Sequence, residues 1–342
     1  MDKIIEEIEF YKQKLKEAKA KLYKSQKKKE IPKVIDQKVS DDYSIYNGDC
    51  VEVIKGITSD SIHYSLFSPP FSSLFTYSNS LRDMGNSKDS EFYNHFSYLV
   101  PELYRVLMPG RLVSLHCMNL PQTIYNDGFI GMKDFRGKLI QLFIDFGFIY
   151  HSEVCVWKDP LVQATRTKNL TLAHKQISKD SSRCGMGFPD YIVTMRKPGE
   201  NTEPISHGRG LERYFGEKKE PQVKKNNDPA KNKYSHYVWR RYASPVWFDI
   251  RQTNTLNVQQ ARDKDDEKHI CPLQLDVIAR CLELWTNEND IVLSPFAGIG
   301  SEGYVSLKMK RRFIGIELKS SYYQQQIKYV TKAKKSSSLG LL

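Results

Sequence analysis

The sequence lacks the features that mark disulfide-rich, metal-bound and membrane-spanning chains. Its six cysteines include no C-x-x-C pair, which argues against a disulfide framework or a zinc site and favours reduced thiols. No stretch reaches the roughly 18 consecutive apolar residues that a membrane span needs. The opening MDKIIEEIEFYKQ contains acids and no uninterrupted apolar core, so neither a signal peptide nor a transit peptide is expected. We therefore expect a cytoplasmic protein that has no bound metal and no membrane partner.

Acidic residues are fewer than basic ones. Lys plus Arg number 52 and Asp plus Glu 40, which gives a net charge of +12. A polyanion is therefore the first partner to consider, although charge alone does not separate nucleic acid from a membrane surface. With 40% hydrophobic residues, the 342-residue chain has a globular composition. That length suffices for one large α/β domain with insertions or for two smaller domains.

The N-terminal region, residues 1–35, is rich in lysine and has a helical pattern. Apolar residues recur there at alternating steps of four and three, and Pro32 would end the helix. Such a helix could form a homodimer or lie along nucleic-acid phosphates. It could also remain with its own domain, either packed on it or loosely attached as a solvated arm. The sequence leaves these three alternatives open.

From Tyr43 onward, short β-rich runs alternate with helical ones, which predicts a parallel sheet with crossover helices. Strands are expected at 62–67, 111–117, 149–158, 191–197, 290–296 and 311–318. Helices are expected at 91–107, 135–148, 272–285, 301–309 and 320–334, with a frayed tail from 335 to 342. Between 159 and 266 the periodicity fades, and a basic tract there is interleaved with aromatic residues. That composition favours nucleic-acid binding.

The segment SPPF, Ser68 to Phe71, directly follows the predicted strand at 62–67. Two successive prolines remove two backbone donors and hold φ at about −65°, so this corner is rigid and its carbonyls are unused acceptors. A serine oxygen beside such a carbonyl forms a two-acceptor fork that suits an NH2 group. Phe71 could stack on the ring that bears this group. The alternative interpretation is a rigid loop without chemistry.

The segment SPFAGIGSEG, residues 294–303, stands between a predicted strand and a predicted helix. Gly298 and Gly300 permit positive φ and a close approach of a ligand, and the helix N-terminus attracts negative charge. The spaced G-x-G-x-x-G fingerprint is missing, and a glycine turn alone is weak evidence for a nucleotide. However, Glu317 ends the next predicted strand, where an acid can accept ribose hydroxyls. Together these elements predict a nucleotide-like cofactor.

Taken together, these segments resemble the amino-methylating DNA methyltransferases of the β arrangement, in which the catalytic segment precedes the S-adenosylmethionine segment. Phage- and prophage-encoded members are the most similar. The resemblance spans about 43–330 and includes NGDC at 47–50, RVLMPGRL at 105–112, GFIYHSEVCVWK at 147–158 and EKHICPLQ at 267–274. It implies a Rossmann-like α/β methyltransferase fold with a mostly parallel twisted sheet and permuted motif order, in a bacterial or phage-infected cell. The implied parts are a catalytic half at 43–158, an inserted target-recognition region at 159–266 and a cofactor half at 267–334.

The resemblance also implies roles for individual residues. Ser68 and the Pro69 carbonyl would bind the exocyclic amine of a flipped base, with Pro70 completing the corner and Phe71 stacking on the base. S-adenosyl-L-methionine would lie against Asp49, His269, Pro272, Leu273, Ser294, Phe296, Gly298, Gly300, Ser301 and Glu317. Duplex DNA would contact Trp157, Lys158, Lys224, Lys225, Trp239, Arg240 and Arg241. One departure is Ser294, which stands where the family usually has an acid.

The expected activity is methylation of N4 of cytosine, with N6 of adenine as the alternative. An RNA or protein-amide methyltransferase and an inactive DNA-binding relic are further alternatives. Ser68 is predicted to accept hydrogen bonds and not to act as a triad nucleophile, because no histidine stands in an H-x-x-x-D or G-x-S-x-G context. The sequence does not indicate whether a cognate restriction endonuclease exists.

Overall fold

The computed structural model of this chain describes residues 34–71, 89–167, 172–219, 222–257 and 272–338, together with Lys14. The predicted N-terminal helix and its homodimer, His269 and the last four residues of the tail lie outside the described residues. The strands are β1 (Val34–Val39), β2 (Tyr43–Gly48), β3 (Ile62–Phe67), β4 (Leu107–Cys117), β5 (Leu120–Gln122), β6 (Gly131–Lys133), β7 (Ile149–Val156), β8 (Asp190–Arg196), β9 (Val246–Trp247), β10 (Ile291–Ser294) and β11 (Arg312–Glu317).

The described α-helices alternate with these strands over much of the chain. They are α1 (Cys50–Val53), α2 (Asp89–Val106), α3 (Ile124–Asp127), α4 (Phe135–Asp145), α5 (Pro160–Thr167), α6 (His174–Ile177), α7 (Lys233–Tyr242), α8 (Leu275–Trp285), α9 (Ser301–Lys308) and α10 (Ser320–Ser338). None of them is long and apolar enough to cross a membrane.

Nine strands form one sheet in the order β1-β2-β11-β10-β3-β4-β8-β7-β9, and β5 pairs with β6 separately. The five strands from β2 to β4 run parallel. β8 is antiparallel to both of its neighbours, and β1 is antiparallel to β2. β3 is buried along almost its whole length, as expected for a parallel strand that is covered on both faces. The predicted mostly parallel α/β sheet is thus confirmed.

Each face of the sheet has its own hydrophobic core. One core contains Tyr64 and Leu66 of β3 and the buried side of α8. The other contains Phe67 at the end of β3 and Phe92 and Phe96 of α2. In α2 the buried residues recur at helical spacing, so one apolar stripe attaches the helix to the sheet. Both cores therefore meet at β3, directly below the SPPF corner.

Several predicted boundaries differ from the structure by a few residues, and two of these differences have a physical cause at a glycine. The turn expected at 108–110 is part of β4, where the register against β3 shifts and Gly110 has φ +73°. A Cβ at Gly110 would lie 2.6 Å from the Asn201 nitrogen, so glycine here allows close packing within an irregular strand. The helix expected at 135–148 ends at Asp145, before Gly147 with φ +94°.

The predicted insertion at 159–266 contains a strand of the main sheet, because β8 lies between β4 and β7. The part of this region after β8 is attached to α8 by a fully buried ion pair. Arg280 Nη2 lies 2.8 Å from Asp249 Oδ1, and its Nε donates to the Phe215 carbonyl at 2.7 Å. The insertion is therefore interrupted by the sheet, and its second part packs against the cofactor half.

Charged side chains also meet at the amino ends of the central strands β3 and β10. His63, Glu203 and Asp290 lie close enough together to hold a cation. However, Arg111 is fully buried beside them, and its Nη1 lies 3.0 Å from Asp290 Oδ2. The guanidinium already neutralises that carboxylate. This cluster attaches residue 203 to the sheet, at the strand ends opposite to the SPPF segment.

Candidate active site

The SPPF and SPFAGIGS segments follow two adjacent strands. β3 and β10 pair in parallel, with Leu293 opposite Ser65. The chain leaves β3 for β4 on one side, whereas it leaves β10 for β11 on the other. This is a topological switch point, where α/β sheets open a crevice at the carboxyl ends of their strands. We call residues 68–71 the prolyl corner and residues 294–301 the glycyl corner.

Aromatic side chains connect the two corners. The rings of Phe67 and Phe296 lie 5.7 Å apart between centroids. Phe296 also stacks on Phe96 of α2 at 6.2 Å. Phe296 was predicted to contact the cofactor, and the structure shows that its ring also packs in the core between the corners. The two segments are thus held side by side by buried contacts.

Ser68 of the prolyl corner begins a continuous series of hydrogen bonds. Its Oγ lies 2.7 Å from His116 Nδ1, and His116 Nε2 lies 2.7 Å from Asp190 Oδ2. Lys158 Nζ lies 2.6 Å from the same Asp190 oxygen. We call this arrangement the Ser68–His116–Asp190–Lys158 chain. His116 and Asp190 are functional candidates that the sequence analysis missed.

The charge of Asp190 determines the direction of these hydrogen bonds. Burial raises the pKa of this carboxyl, but Lys158 and His116 lower it more, so its pKa lies well below the usual range. An ionised carboxylate can only accept, which makes His116 Nε2 the donor. In the neutral imidazole, Nδ1 then accepts the Ser68 hydroxyl hydrogen. The lone pairs of Ser68 Oγ remain available to an external donor.

A serine, a histidine and an aspartate in this order also occur in hydrolases. A hydrolase nucleophile needs nearby N–H donors that stabilise an oxyanion. The two residues that follow Ser68 are buried prolines and have no N–H. The corner therefore offers acceptors rather than donors, in line with the predicted role of Ser68.

Lys158 occupies a different place from the one predicted. The sequence analysis expected it to contact DNA, but its ammonium is paired with Asp190 and its side chain is mostly buried. The reason is the antiparallel pairing of β7 and β8, which sets Val156 opposite Asp190 and brings Lys158 back over that carboxylate. Lys158 is thus part of the hydrogen-bonded chain, whereas its neighbour Trp157 is 47% exposed.

Phe71 lies beside this chain. Its ring is edge-on to His116, with centroids 6.3 Å apart, and edge-on to Phe135 at 6.1 Å. The ring is only partly buried. Phe71 therefore lies beside the hydrogen-bonded chain that begins at Ser68, and its stacking on a base stays a prediction.

The two glycines of the glycyl corner have different roles. Gly300 has φ +92°, and a Cβ there would lie 2.7 Å from Gln326 Cγ. Gly298 has φ +54°, but a Cβ there would meet no atom of the described residues within 4 Å. Gly300 is thus needed for packing on α10, whereas Gly298 borders open space. Glu317 closes this turn, because its Oε2 accepts from the Gly298 N–H at 2.8 Å.

Other predicted cofactor residues lie around this turn. Ser294 is fully buried, and its Oγ has no hydrogen-bond partner among the described residues. Asp49 follows β2 and caps α1 by accepting from the Val51 N–H at 3.0 Å. The remaining described positions are Pro272, half-buried, Leu273, buried in the core, and Ser301, buried at the start of α9.

Glu302 is an acid of the glycyl corner region that the sequence analysis did not select. It follows Ser301 in the first turn of α9 and is only 4% exposed. Burial, and next the nearby charge of Glu317, raise its pKa to about 8. The sequence signal was an acid at a helix N-terminus, which is common and therefore unspecific.

The predicted DNA contacts beyond Lys158 lie in the region around α7. Trp239 and Arg240 are exposed on this helix, and Arg241 lies over the Tyr237 ring at 5.4 Å. Lys224 is exposed, whereas Lys225 lies 4.4 Å over the Tyr234 ring. Basic side chains are thus present on α7 and in the segment before it, whereas the prolyl corner follows β3 and contacts side chains of β4, β8 and the end of β7.

Comparison with known proteins assigns the chain to a family. The family of DNA methylases that modify N6 or N4 amino groups matches residues 62–328. The chain belongs to this DNA methylase family. The type II methyltransferase M.BamHI of Bacillus amyloliquefaciens is 25% identical over 276 residues, which cover 80% of this chain and 54% of M.BamHI. The chain thus spans about half the length of this relative.

Solved structures show the same fold. TTHA0409 from Thermus thermophilus, described as a candidate DNA modification methylase, was solved with S-adenosyl-L-methionine. It has a TM-score of 0.57 at 18% identity, with 85% of this chain and 95% of that chain covered. The cytosine-N4-specific PvuII DNA methyltransferase has a TM-score of 0.57 at 14% identity, covering 90% of this chain and 97% of that one. The predicted methyltransferase fold is confirmed.

The glycyl corner fits the cofactor of this family, S-adenosylmethionine. This molecule combines a cationic sulfonium and ammonium with ribose hydroxyls. The Ser294 hydroxyl, which has no partner among the described residues, and the acids Glu302 and Glu317 offer acceptors to such groups. The described residues leave space beside Gly298. The predicted cofactor therefore agrees with the donor and acceptor groups present.

Proposed function

We propose that this protein methylates the exocyclic amine of a base extruded from duplex DNA, with N4 of cytosine as the favoured position. The observation that supports this most strongly is the adjacency of the prolyl and glycyl corners on β3 and β10. A base amine bound at one corner would meet a methyl donor bound at the other. Such positioning alone supplies a large share of the rate acceleration.

The cofactor would be held by Ser294, Gly298, Glu302 and Glu317. S-adenosylmethionine, when bound, supplies an electrophilic methyl group. Glu317 already orders the turn through the Gly298 N–H and the Lys319 N–H, both at 2.8 Å. Since a carboxylate has about four acceptor positions, Glu317 can also accept from a ribose hydroxyl.

The prolyl corner would activate the amine. An aromatic amine is a weak nucleophile because its lone pair is conjugated with the ring. Ser68 Oγ and the Pro69 carbonyl can each accept one amine hydrogen, which favours a pyramidal nitrogen and returns electron density to it. When the neutral imidazole of His116 accepts at Nδ1, the Ser68 hydroxyl hydrogen points to that nitrogen, and the lone pairs of Ser68 Oγ can accept from the amine.

The same hydrogen-bonded chain can remove a proton. Methylation leaves the amine nitrogen with one proton more than the neutral product. As Ser68 Oγ accepts that proton, its own hydroxyl proton can pass to His116 Nδ1, 2.7 Å away. The ionised Asp190 then stabilises the imidazolium, and Lys158 keeps that carboxylate charged and in place. His116 would thus act as a general base through Ser68.

The favoured cytosine target rests on the serine that opens the prolyl corner, and adenine N6 is the alternative because serine can accept from either amine. Extruding the base costs a few kcal/mol, and Phe71 would offset part of this cost by stacking. Mass spectrometry of nucleosides from DNA treated with the protein and labelled cofactor identifies the base. Only N6-methyladenine would reverse our choice.

The Ser68→Ala variant tests the proposed function. We expect methyl transfer to DNA to fall by about 10²-fold or more, with cofactor affinity by calorimetry unchanged. Ser97→Ala is a matched control, because Ser97 bonds only its own helix carbonyl Asn94 at 2.6 Å. Full activity of Ser68→Ala would overturn the proposal. Absence of saturable S-adenosylmethionine binding by the unmodified protein would instead indicate an inactive relic.

A further inference from the structure

Exposed aromatic residues lie at the carboxyl ends of β7 and β9, next to the Ser68–His116–Asp190–Lys158 chain. Cys155 pairs with Val246 and Val156 with Trp247 in parallel register. The Trp157 N–H donates to the Trp247 carbonyl at 3.0 Å, and if the register of β7 and β9 is extended by one residue, the Trp157 backbone lies opposite that of Phe248. Paired residues on neighbouring parallel strands point to the same face, and such strands lie about 4.8 Å apart.

Both rings of this pair are accessible. Trp157 is 47% exposed and Phe248 is 45% exposed, whereas their neighbours Val156 and Trp247 are buried. Contiguous exposed apolar surface often marks a binding site. The two rings therefore offer an open aromatic surface, which we call the aromatic pair.

Two cations flank the Phe248 ring. Arg241 Cζ lies 5.1 Å from the ring centroid, and Lys218 Nζ lies 5.3 Å from it. The Lys218 segment is held there because the Glu217 N–H donates to the Asp249 carbonyl at 2.7 Å. Among the described residues, no carboxylate forms an ion pair with Lys218 or Arg241. Their positive charge is thus available to an anion.

Aromatic faces combined with unneutralised cations are the groups that bind unstacked nucleotides, since bases stack on the rings and phosphates attract the cations. A peptide partner would need acidic and apolar groups at matching positions, and no feature of this surface favours such a peptide over a nucleotide. The location also favours DNA, because Lys158, the residue after Trp157, belongs to the Ser68–His116–Asp190–Lys158 chain.

We propose that Trp157 and Phe248, with Lys218 and Arg241, bind a nucleotide of the DNA strand that flanks the extruded base. This rests on the proposed function and specifies its substrate. β7 lies three strands from β3 and β9 four strands away, so the pair is about 14–19 Å from Ser68 along the sheet edge. Since stacked bases are about 3.4 Å apart along a strand and unstacked ones are farther apart, the contacted nucleotide lies within about six steps of the target.

The test measures binding of a 12-nucleotide oligodeoxythymidine to the full chain, and tryptophan fluorescence reports the binding. We expect the oligonucleotide to quench the emission of the protein and Trp157→Ala to remove most of that quenching. Phe248→Leu keeps an apolar side chain but loses the ring, and should weaken binding roughly tenfold, while Phe248→Tyr should bind like the unmodified protein. Lys218→Gln should make the salt dependence shallower by about one charge.

Tyr125→Ala is the matched control, because Tyr125 is 96% exposed on α3 and lies outside this surface. Equal affinity of Phe248→Leu and the unmodified protein, or full quenching in Trp157→Ala, would overturn the inference. Failure of the proposed function has a different signature. In that case Ser68→Ala and the unmodified protein would methylate DNA equally, while oligonucleotide quenching would still depend on Trp157.

Discussion

The prolyl and glycyl corners stand side by side in the crevice, but they are built from different ranges of the chain. The glycyl corner is nearly local, since the Gly298 N–H and the Glu317 carboxylate that binds it are only 19 residues apart. The prolyl corner is completed by distant residues. His116 is 48 residues from Ser68, and Asp190 is a further 74 residues away. A local corner can be read from a motif, whereas a corner assembled from three strands cannot.

This difference suggests how each corner should respond to substitution. The prolyl corner depends on a buried charge network, so its variants should lose chemistry. The glycyl corner depends on backbone conformation and open space, so its variants should lose stability or cofactor affinity. Substitutions at Asp190 and at the two glycines test that division, and a substitution at Glu302 tests the buried acid next to the glycyl corner.

Asp190→Asn should have the largest effect. The substitution removes the charge that orients and stabilises His116 and leaves the Lys158 ammonium, 2.6 Å away, without its carboxylate. We expect methyl transfer to fall by about 10²-fold or more, measured with saturating cofactor and DNA. Cofactor affinity should stay within about twofold, because Asp190 lies at the other corner. A parallel loss of cofactor affinity would show that the two corners are not separable.

Glu302→Gln should change the pH dependence of stability. The folded protein keeps the Glu302 proton up to a pKa of about 8, whereas the ordinary value is 4.5. Folding therefore takes up a proton between these values, and this residue makes the protein less stable as pH rises from 4.5 to 8. The variant should match the unmodified protein near pH 4 and exceed its stability above pH 8 by a few kcal/mol.

Urea unfolding at pH 5, 7 and 9 measures this difference, with the cofactor left out. Asp190, whose pKa is lowered, contributes the opposite trend, but it is present in both proteins and cancels in the comparison. A difference between the two proteins that does not vary with pH would contradict the prediction.

Alanine at the two glycines should separate packing from binding, with the smallest effect. Gly300→Ala places a Cβ 2.7 Å from Gln326 Cγ at φ +92°, and should cost about 1–3 kcal/mol of stability. Gly298→Ala meets no atom within 4 Å in the part of the chain that the structure describes, at φ +54°, and should cost only about 1 kcal/mol. Its added methyl group would instead enter the open space, so calorimetry should show weaker cofactor binding. The reverse pattern would place the cofactor against Gly300.

Much of the fold was predictable because it is encoded in local periodicity. The alternation of β-rich and helical runs predicted the sheet, and SPPF and SPFAGIGS fall directly after β3 and β10 as expected. Boundaries were less accurate where an irregular strand continued through an apparent turn, as at Gly110. The site residues follow neighbouring strands, since Ser68 and Phe71 come after β3, Gly298 comes after β10, and Glu317 ends β11, but their roles stay predictions.

The rest depended on strand order. Lys158 was expected to contact DNA because it is basic and follows a strand, but the antiparallel insertion of β8 brings Asp190 to it. Phe248 was not selected, since only its register against Trp157 makes it part of an exposed pair. No local pattern encodes which strands become neighbours.

The sequence by itself determined the family, the two corner motifs and their order, because turns and helix starts depend on residues close together in the chain. The tertiary structure alone decided the partners of those motifs: the histidine that orients Ser68, the carboxylate that holds that histidine, and the ring beside Trp157. These contacts join residues on different strands, and they exist only once buried surface and hydrogen bonding have fixed the order of the strands in the sheet.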